Sequence, residues 1–432
     1  MDRKPEIFDK VQRLYGVRGC NDHELHCLLK FERPLDLDVL KQSVFASIRA
    51  IPVLGSRYVD GVRPRWASPA AGDLDEVFST ASSEAELEAF MVARDDERFG
   101  PQLRACVLDA ESFAIAFKLN HMICDAAGFK QFLAFLADVY SRRIVDPGYR
   151  PPEIDADRSM RAVLDRFGMG AKLKALLLQN GDNNRPGNHR FPLSGDQKAE
   201  PFIVTRKLGR SRLTMLTGYG HEKHATLNDI VLTAFYRCMF RKLALGAGED
   251  LEIPLMVDMR RYLGDTNQFR TLTNLTSMVS TRLDFSRDES FEDALGRVSA
   301  IMRGKKRADL GLNVFVKLDL LYRLFGEPAA DRIVRKRLNN PLICMTNVGI
   351  LSPARLCFGG LQPYDAYLCG SIRYSPYFQL AMSSYNGELT LTVNQCGSAA
   401  DRQQILSFLG DVDAELPGQD LPAASFGALG VG

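Results

Sequence analysis

The sequence predicts an α/β (α+β) protein organised in two lobes. Its 432 residues correspond to two or three domains at the usual domain size. Hydrophobic residues make up 46% and charged residues 25%, a balance typical of a globular protein and not of a disordered chain. Both halves alternate strand-like segments with helical stripes, and a polar, aperiodic stretch lies between them.

Composition narrows the possible functions. Lys and Arg number 55 against 53 Asp and Glu, so the net charge is only +2, and nucleic acid is not an expected partner. No apolar run is long enough to span a bilayer, and the opening MDRKPEIFDKVQRLYG lacks the apolar core of a signal peptide. Nine scattered cysteines are typical of reduced thiols. We therefore expect a cytoplasmic protein with no membrane span.

In the first half, apolar side chains alternate from Leu25 to Phe31 and predict a strand. Asp36 then caps a helix that Pro52 ends, and Ser83 with Glu86 forms a capping box for a second helix. Two further strands follow, and the second of them leads directly into a helix. Their apolar positions are Leu103, Ala105 and Val107, then Phe113, Ile115, Phe117 and Leu119, then Phe129, Phe132, Leu133, Leu136, Val139 and Tyr140.

The second half repeats this alternation. Thr226 and Asp229 open a long helix, and LEIPLMVDM and PLICMTNVGI read as strands. Helices are expected over ESFEDALGRVSAIM, Val314–Phe325 and around Ile405–Val412, and Asn386-Gly387 predicts a hairpin turn. The predicted divisions are an N-terminal lobe over 1–180, a connection over 181–200, a C-terminal lobe over 201–416 and a flexible tail over 417–432.

The residues most suggestive of chemistry lie in KLNHMICDAAGFKQFL. His121 falls where a strand ends and a helix begins, and Asp125 follows at the helix start. Histidine has a pKa suited to proton transfer near neutral pH. A single histidine at a strand end more often has a structural role, and Asp125 is a good helix N-cap. The spacing alone therefore leaves both interpretations open.

Several segments, taken in order, resemble the HxxxD acyltransferase superfamily. This superfamily includes chloramphenicol acetyltransferase, condensation domains of nonribosomal peptide synthetases and alcohol acetyltransferases. The resemblance rests on HMICD with Gly128 beyond it, and on ATLNDIVLTA, PLMVDMRRYL, MTNVGIL and YNGELTLTVN. Two positions depart from the family pattern, because Asn120 replaces the first of a tandem histidine pair and Ala126 replaces the glycine after the aspartate.

The resemblance implies two chloramphenicol acetyltransferase-like lobes with mixed sheets and an active-site tunnel between them. His121 is then the general base for acyl transfer from a thioester to a hydroxyl. The donor is acyl-CoA or an acyl group on the phosphopantetheine arm of an acyl carrier protein, and the acceptor is a small alcohol or amine. Asp125 is expected to pair with Arg260, with Arg261 as the competing partner. Substrate contacts are expected at Gly128, Asn228, Thr346 and Asn347, with no cofactor.

Two alternatives stay open within this resemblance. One is amide formation, as in condensation domains, and the other is a catalytically silent protein that keeps the fold and binds a ligand or carrier protein. A zinc site at Cys20, His23, His26 and Cys27 is disfavoured because adjacent strand residues face opposite ways, and Cys124 reads as a buried apolar residue. Two basic clusters read as solvated helix surface or as docking sites for anionic groups: Arg303, Lys305, Lys306 and Arg307, and Arg332, Arg335, Lys336 and Arg337.

Overall fold

A computed structural model describes residues 2–69, 72, 74–154, 156–177, 189–195, 199–264, 271–306 and 311–418. Most of the predicted connection 181–200, the tail beyond residue 418 and Arg307 lie outside the described residues. Within them, the first half contains the helices α1 Ile7–Val17, α2 Leu37–Ala50, α3 Glu84–Val92, α4 Ala126–Val145, α5 Arg161–Leu164 and α6 Met169–Leu177. Its strands are β1 Glu24–Phe31, β2 Arg57–Val59, β3 Arg65–Ala67, β4 Phe78–Ala81, β5 Leu103–Asp109 and β6 Phe113–Asn120.

The second half has the same mixed character. Its helices are α7 Arg210–Glu222, α8 Leu227–Lys242, α9 Phe291–Lys306, α10 Leu312–Arg337 and α11 Ala399–Glu415. Its strands are β7 Glu200–Leu208, β8 Asp250–Asp258, β9 Thr276–Asp284, β10 Ile343–Leu351, β11 Asp365–Cys369, β12 Phe378–Tyr385 and β13 Glu388–Gly397. Along the described residues, no helix combines the length and apolar character required to cross a membrane.

The first sheet has the strand order β11-β1-β6-β5-β4, and β1 is antiparallel to both of its neighbours. Cys27, Leu29 and Phe117 of its central strands pack against α4 through Phe129 in one apolar core. The outer strand β11 comes from the second half, with Leu368 opposite Cys27. A strand within the range 201–416 therefore completes the sheet that carries the HMICD motif.

The second sheet has the order β7-β13-β12-β10-β8-β9 and mixes parallel with antiparallel pairs. β10 runs parallel to β8 and β12, while β12 and β13 form the antiparallel hairpin predicted from Asn386-Gly387. Both turn residues have positive φ, 48° and 78°, which Asn and Gly adopt most readily. Helices α8 and α11 cover this sheet through Phe235 and Phe408 in a second core.

The predicted helix starts are confirmed by their capping hydrogen bonds. The side chains of Asp36, Ser83 and Thr226 accept from the backbone N–H groups of Val39, Glu86 and Asp229. The Thr226 box is reciprocal, since the Asp229 carboxylate accepts from the Thr226 N–H. At Ser83 the box is incomplete, because the Glu86 side chain bonds Ser82 instead.

Helix α10 continues beyond the predicted Val314–Phe325 segment, with a break inside it. Gly326 has φ 66° and ψ 168°, outside the helical region, and Pro328 lacks the N–H of a regular turn. The chain therefore kinks and then resumes its helical course to Arg337. The two limbs pack with α1 and α5 in a third core that contains Phe8, Val163, Phe315 and Val334. This core closes one side of the space between the sheets.

Candidate active site

His121 occupies the strand-to-helix junction that the sequence predicts. β6 ends at Asn120 and α4 begins at Ala126, so the motif forms the loop between them. Asn120 shapes this loop, because its side-chain oxygen accepts from the Met122 N–H at 2.8 Å. His121 N–H donates to the His23 carbonyl at 2.7 Å and fixes the loop to the segment before β1. The Asn120 side chain thus stabilises the backbone of the loop.

Asn274, just before β9, holds the His121 ring from the second half of the chain. Its amide nitrogen donates to the carbonyls of His121 and Met122, both at 2.9 Å. These two bonds direct its side-chain oxygen towards His121 Nδ1, 3.2 Å away. Nδ1 therefore carries the proton and donates to Asn274. Nε2 is left as the basic nitrogen of the ring.

His121 is neutral at ordinary pH. Burial lowers the pKa of its ring below the usual value, against a smaller opposing effect from hydrogen bonds to the backbone and Asn274 and from the Asp125 charge. Arg373 adds a further lowering effect on this pKa. A neutral imidazole with a fixed tautomer is the form required of a general base.

Asp125 pairs with Arg260, not Arg261. The Arg260 guanidinium lies 2.9 Å from the Asp125 carboxylate, and both side chains are buried. The same carboxylate accepts from the Gly128 and Leu275 N–H groups. Burial raises the pKa of Asp125, but the Arg260 charge and these hydrogen bonds outweigh it and lower the pKa below its usual range. Asp125 therefore stays ionised and joins the motif to the second half.

Arg158, which the sequence pattern did not single out, forms a second buried connection. Its guanidinium is bidentate to Asp9 of α1, at 2.9 and 3.0 Å, and donates to the carbonyls of Ile123 and Leu272. The Asp9 carboxylate also accepts from the Trp66 indole at 2.9 Å. One arginine therefore holds the motif loop, the first helix and the segment before β9 in register.

A cavity of about 720 Å³ lies between the two halves, and His121 is in its wall. Asn228, Thr346, Asn347 and Arg261 also line it, whereas Gly128 and Arg260 do not. Gly128 instead packs against the motif and its partner, since an added Cβ would lie 3.0 Å from Cys124 Cβ and 3.3 Å from an Arg260 nitrogen. The cavity volume is in the range of small-molecule sites.

Much of the cavity wall is apolar. The apolar residues come from α1, from α10 and from the strands β8 and β9. They are Phe8, Val11, Val314, Leu318, Val334, Leu255, Val257 and Met278. Such a surface suits the hydrocarbon part of an acyl group. The Lys306 side chain of the first basic cluster also lines the cavity, while Arg332, Arg335, Lys336 and Arg337 are exposed.

Among the described residues, the His121 ring forms no hydrogen bond with Cys27, Cys124, His26, His221 or His224. Cys124 is fully buried, and burial raises the pKa of its thiol well above the ordinary value. His221 and His224 are exposed and do not line the cavity. Cys27 belongs to the first core, whereas His26 groups with Asp22 and Glu24. The Lys118 ammonium lies 3.5 Å from the Glu24 carboxylate and places a positive charge beside this acidic group.

Solved structures share this architecture over nearly the entire chain. The polyketide synthase associated protein 5 from Mycobacterium tuberculosis aligns with a TM-score of 0.65 and 18% identity, covering 96% of this chain and 97% of its own. The first condensation domain of the calcium-dependent antibiotic synthetase aligns at 0.67 and 15%, covering 98% of both chains. The protein has the condensation-domain fold. Comparisons with family models and with curated protein sequences give no match.

The condensation-domain fold is also that of an acetyltransferase. The trichothecene 15-O-acetyltransferase from Fusarium sporotrichioides aligns with a TM-score of 0.67 and 14% identity, covering 96% of this chain and 95% of its own. The fold expectation from the sequence is thereby confirmed. In this chain, the condensation-domain fold brings the HMICD loop of one half against the segment before β9 of the other.

Proposed function

We propose that this protein is an acyltransferase that moves an acyl group from a thioester to a hydroxyl acceptor. The observation that carries the proposal is His121, a neutral imidazole with Nδ1 held by Asn274, in the wall of a largely apolar cavity. The shared fold with an O-acetyltransferase adds support. The donor is acyl-CoA or an acyl carrier protein, and an amine acceptor gives the alternative, amide-forming reaction.

In this mechanism, His121 Nε2 accepts the proton of the acceptor hydroxyl as its oxygen attacks the thioester carbonyl. The C–O bond forms, and the carbonyl electrons move onto oxygen to give a tetrahedral oxyanion. Collapse of this intermediate breaks the C–S bond, and the imidazolium proton passes to the departing thiolate. No acyl-enzyme is needed, because both substrates occupy one cavity and proximity contributes to the rate.

Thr346 or Asn347 is proposed to stabilise the oxyanion. Both are on β10 and line the cavity with His121. The Asn347 side-chain oxygen accepts from the Gly349 N–H at 2.8 Å, which directs the amide group and leaves its NH₂ as a donor. Loss of one donor of this kind costs about 2.7–4 kcal/mol of transition-state stabilisation.

The test follows thiol release from a panel of acyl-CoA donors mixed with alcohols and amines. Acceptor-dependent release that disappears in His121→Ala establishes acyl transfer, and the preferred acceptor distinguishes ester from amide formation. His221→Ala is the matched control, because that histidine is exposed and outside the cavity wall. If folded protein releases no thiol from CoA donors, loaded acyl carrier protein is tried next. Failure with both donors refutes acyl transfer and favours a silent binding protein.

A further inference from the structure

Three polar side chains in the cavity wall have buried atoms without a hydrogen-bond partner among the described residues. These atoms are Asn340 Nδ2, Ser371 Oγ and Arg373 Nε. Asn340 is 9% exposed and Ser371 3% exposed. Buried polar groups in folded proteins nearly always have a partner. Three unpaired groups that border one cavity therefore indicate that a ligand supplies the acceptor.

The strand topology places the three residues ahead of two parallel, neighbouring strands of the second sheet. β10 and β12 are parallel neighbours, and Ile343 at the start of β10 lies opposite Phe378 at the start of β12. The Phe378 N–H donates to the Leu342 carbonyl at 2.8 Å just before both strands begin. Asn340 precedes the first strand, and Ser371 and Arg373 precede the second.

The segment before β12 is joined to His121 by the short segment before β1. Arg373 forms an isolated β-bridge with Asn21, and the neighbouring Asp22 N–H donates to the Ile372 carbonyl at 3.1 Å. In the same segment, the His23 carbonyl accepts from the His121 N–H. Asn21, His121 and Arg373 all border the cavity. The three residues that carry the unpaired donors therefore line the same space as the proposed base.

The positive charge of Arg373 is not neutralised by a carboxylate in the described structure. The acidic residues that line the cavity are Asp125 and Asp258, and both pair with Arg260, at 2.9 and 3.1 Å. A guanidinium matches the two oxygens of a carboxylate, and the hydroxyl and amide groups of the same cavity wall are further donors. A neutral ligand would leave the arginine charge without compensation.

We propose that Asn340, Ser371 and Arg373 bind a carboxylate group carried by one of the two substrates. The inference rests on the proposed function and narrows its substrate class. The carboxylate belongs either to the acceptor, as in a hydroxy acid, or to the distal end of a dicarboxylic acyl group. In both cases the reacting group, the acceptor hydroxyl or the thioester carbonyl, stays near His121 while the arginine holds the opposite end of the substrate.

The first experiment compares matched substrates in the thiol-release assay. Hydroxy acids are paired with their methyl esters as acceptors, and glutaryl-CoA is paired with pentanoyl-CoA as donors. We expect kcat/KM to favour the carboxylate-bearing member of one pair by about tenfold or more, and Arg373→Gln to abolish that preference. Arg402→Gln, an exposed arginine on α11, should keep it. Equal use of both members in both pairs, with thiol release intact, overturns the carboxylate site but not acyl transfer.

A second measurement does not depend on turnover. Thermal unfolding is followed with glutarate and with neutral glutaramide as probes, in the native protein, Arg373→Gln and Arg402→Gln. The site is supported if glutarate raises the unfolding temperature, glutaramide does not, and only Arg373→Gln loses the effect of glutarate. This outcome supports the site even if no thiol is released. Equal effects of glutarate on all three proteins, or no effect on any, contradict it.

Discussion

Asn274 accepts a hydrogen bond from Nδ1 of His121, and its amide nitrogen binds the His121 backbone carbonyl as well. One side chain from the second half therefore fixes both the ring tautomer and the loop of the proposed base. Sequence patterns do not identify Asn274, because it lies 153 residues from His121 in the chain and outside every motif of the resemblance.

Replacing Asn274 should impair catalysis through His121. Asn274→Ala removes the acceptor at Nδ1 and both bonds to the motif loop, so we expect kcat to fall on the order of 10²-fold. KM should change much less, because the side chain does not line the cavity. Steady-state kinetics and a thermal-unfolding check separate this effect from loss of fold.

Asn274→Asp offers a sharper test of the same contact. A carboxylate at this position keeps the acceptor but adds negative charge, which stabilises the imidazolium. We expect the apparent pKa of the pH–rate profile to rise relative to the native protein. An unchanged apparent pKa would place Asn274 outside the control of His121 protonation.

The pH dependence of the native protein follows from the buried ring. Because the pKa of His121 is lowered, kcat/KM should be constant at neutral pH and fall only below pH 6.5 as Nε2 becomes protonated. The unfolded chain binds this proton more readily than the folded one. The contribution of His121 to stability therefore also decreases as pH falls from 6.5 towards the folded-state pKa. A rate that declines on raising the pH through 6.5 would contradict the assigned role.

Breaking the Asp125–Arg260 pair should damage folding as well as activity. Either alanine substitution leaves a buried charge without its partner, so we expect a loss of about 3–5 kcal/mol in the free energy of unfolding. Arg261→Ala is the control, since that exposed neighbour should change stability by no more than about 0.5 kcal/mol. Urea unfolding measures the free energy of unfolding of each variant. A fully stable but inactive Asp125→Ala would indicate a direct chemical role for the carboxylate.

Cys124 should be dispensable for the reaction. Its thiol is buried and its pKa is raised well above the ordinary value, so almost no thiolate forms at neutral pH. We expect Cys124→Ala to retain acyl transfer and the native protein to resist iodoacetamide at this position. Loss of activity in a folded Cys124→Ala protein would instead indicate a covalent mechanism through this thiol.

Much of the local structure follows from sequence patterns. Asp36, Thr226 and Asn386-Gly387 mark their helix starts and turn correctly, because capping and positive φ depend on neighbouring residues. The unpredicted elements include α1, α7 and β11, for which no periodic pattern was recognised. Strand β11 is stabilised by its pairing with β1, which is a contact between distant parts of the chain.

The same division holds for the candidate site. The sequence by itself determined the type of fold, the position of His121 at a strand end and the Asp125 cap, because these depend on local pattern and an ordered set of motifs. Only the tertiary structure decided that Asn274 holds the ring, that Arg158 joins three segments, and that Asn340, Ser371 and Arg373 line one cavity. Hydrogen bonding and charge pairing act between atoms a few ångströms apart, so residues far apart in the chain acquire these roles only once the sheets have assembled.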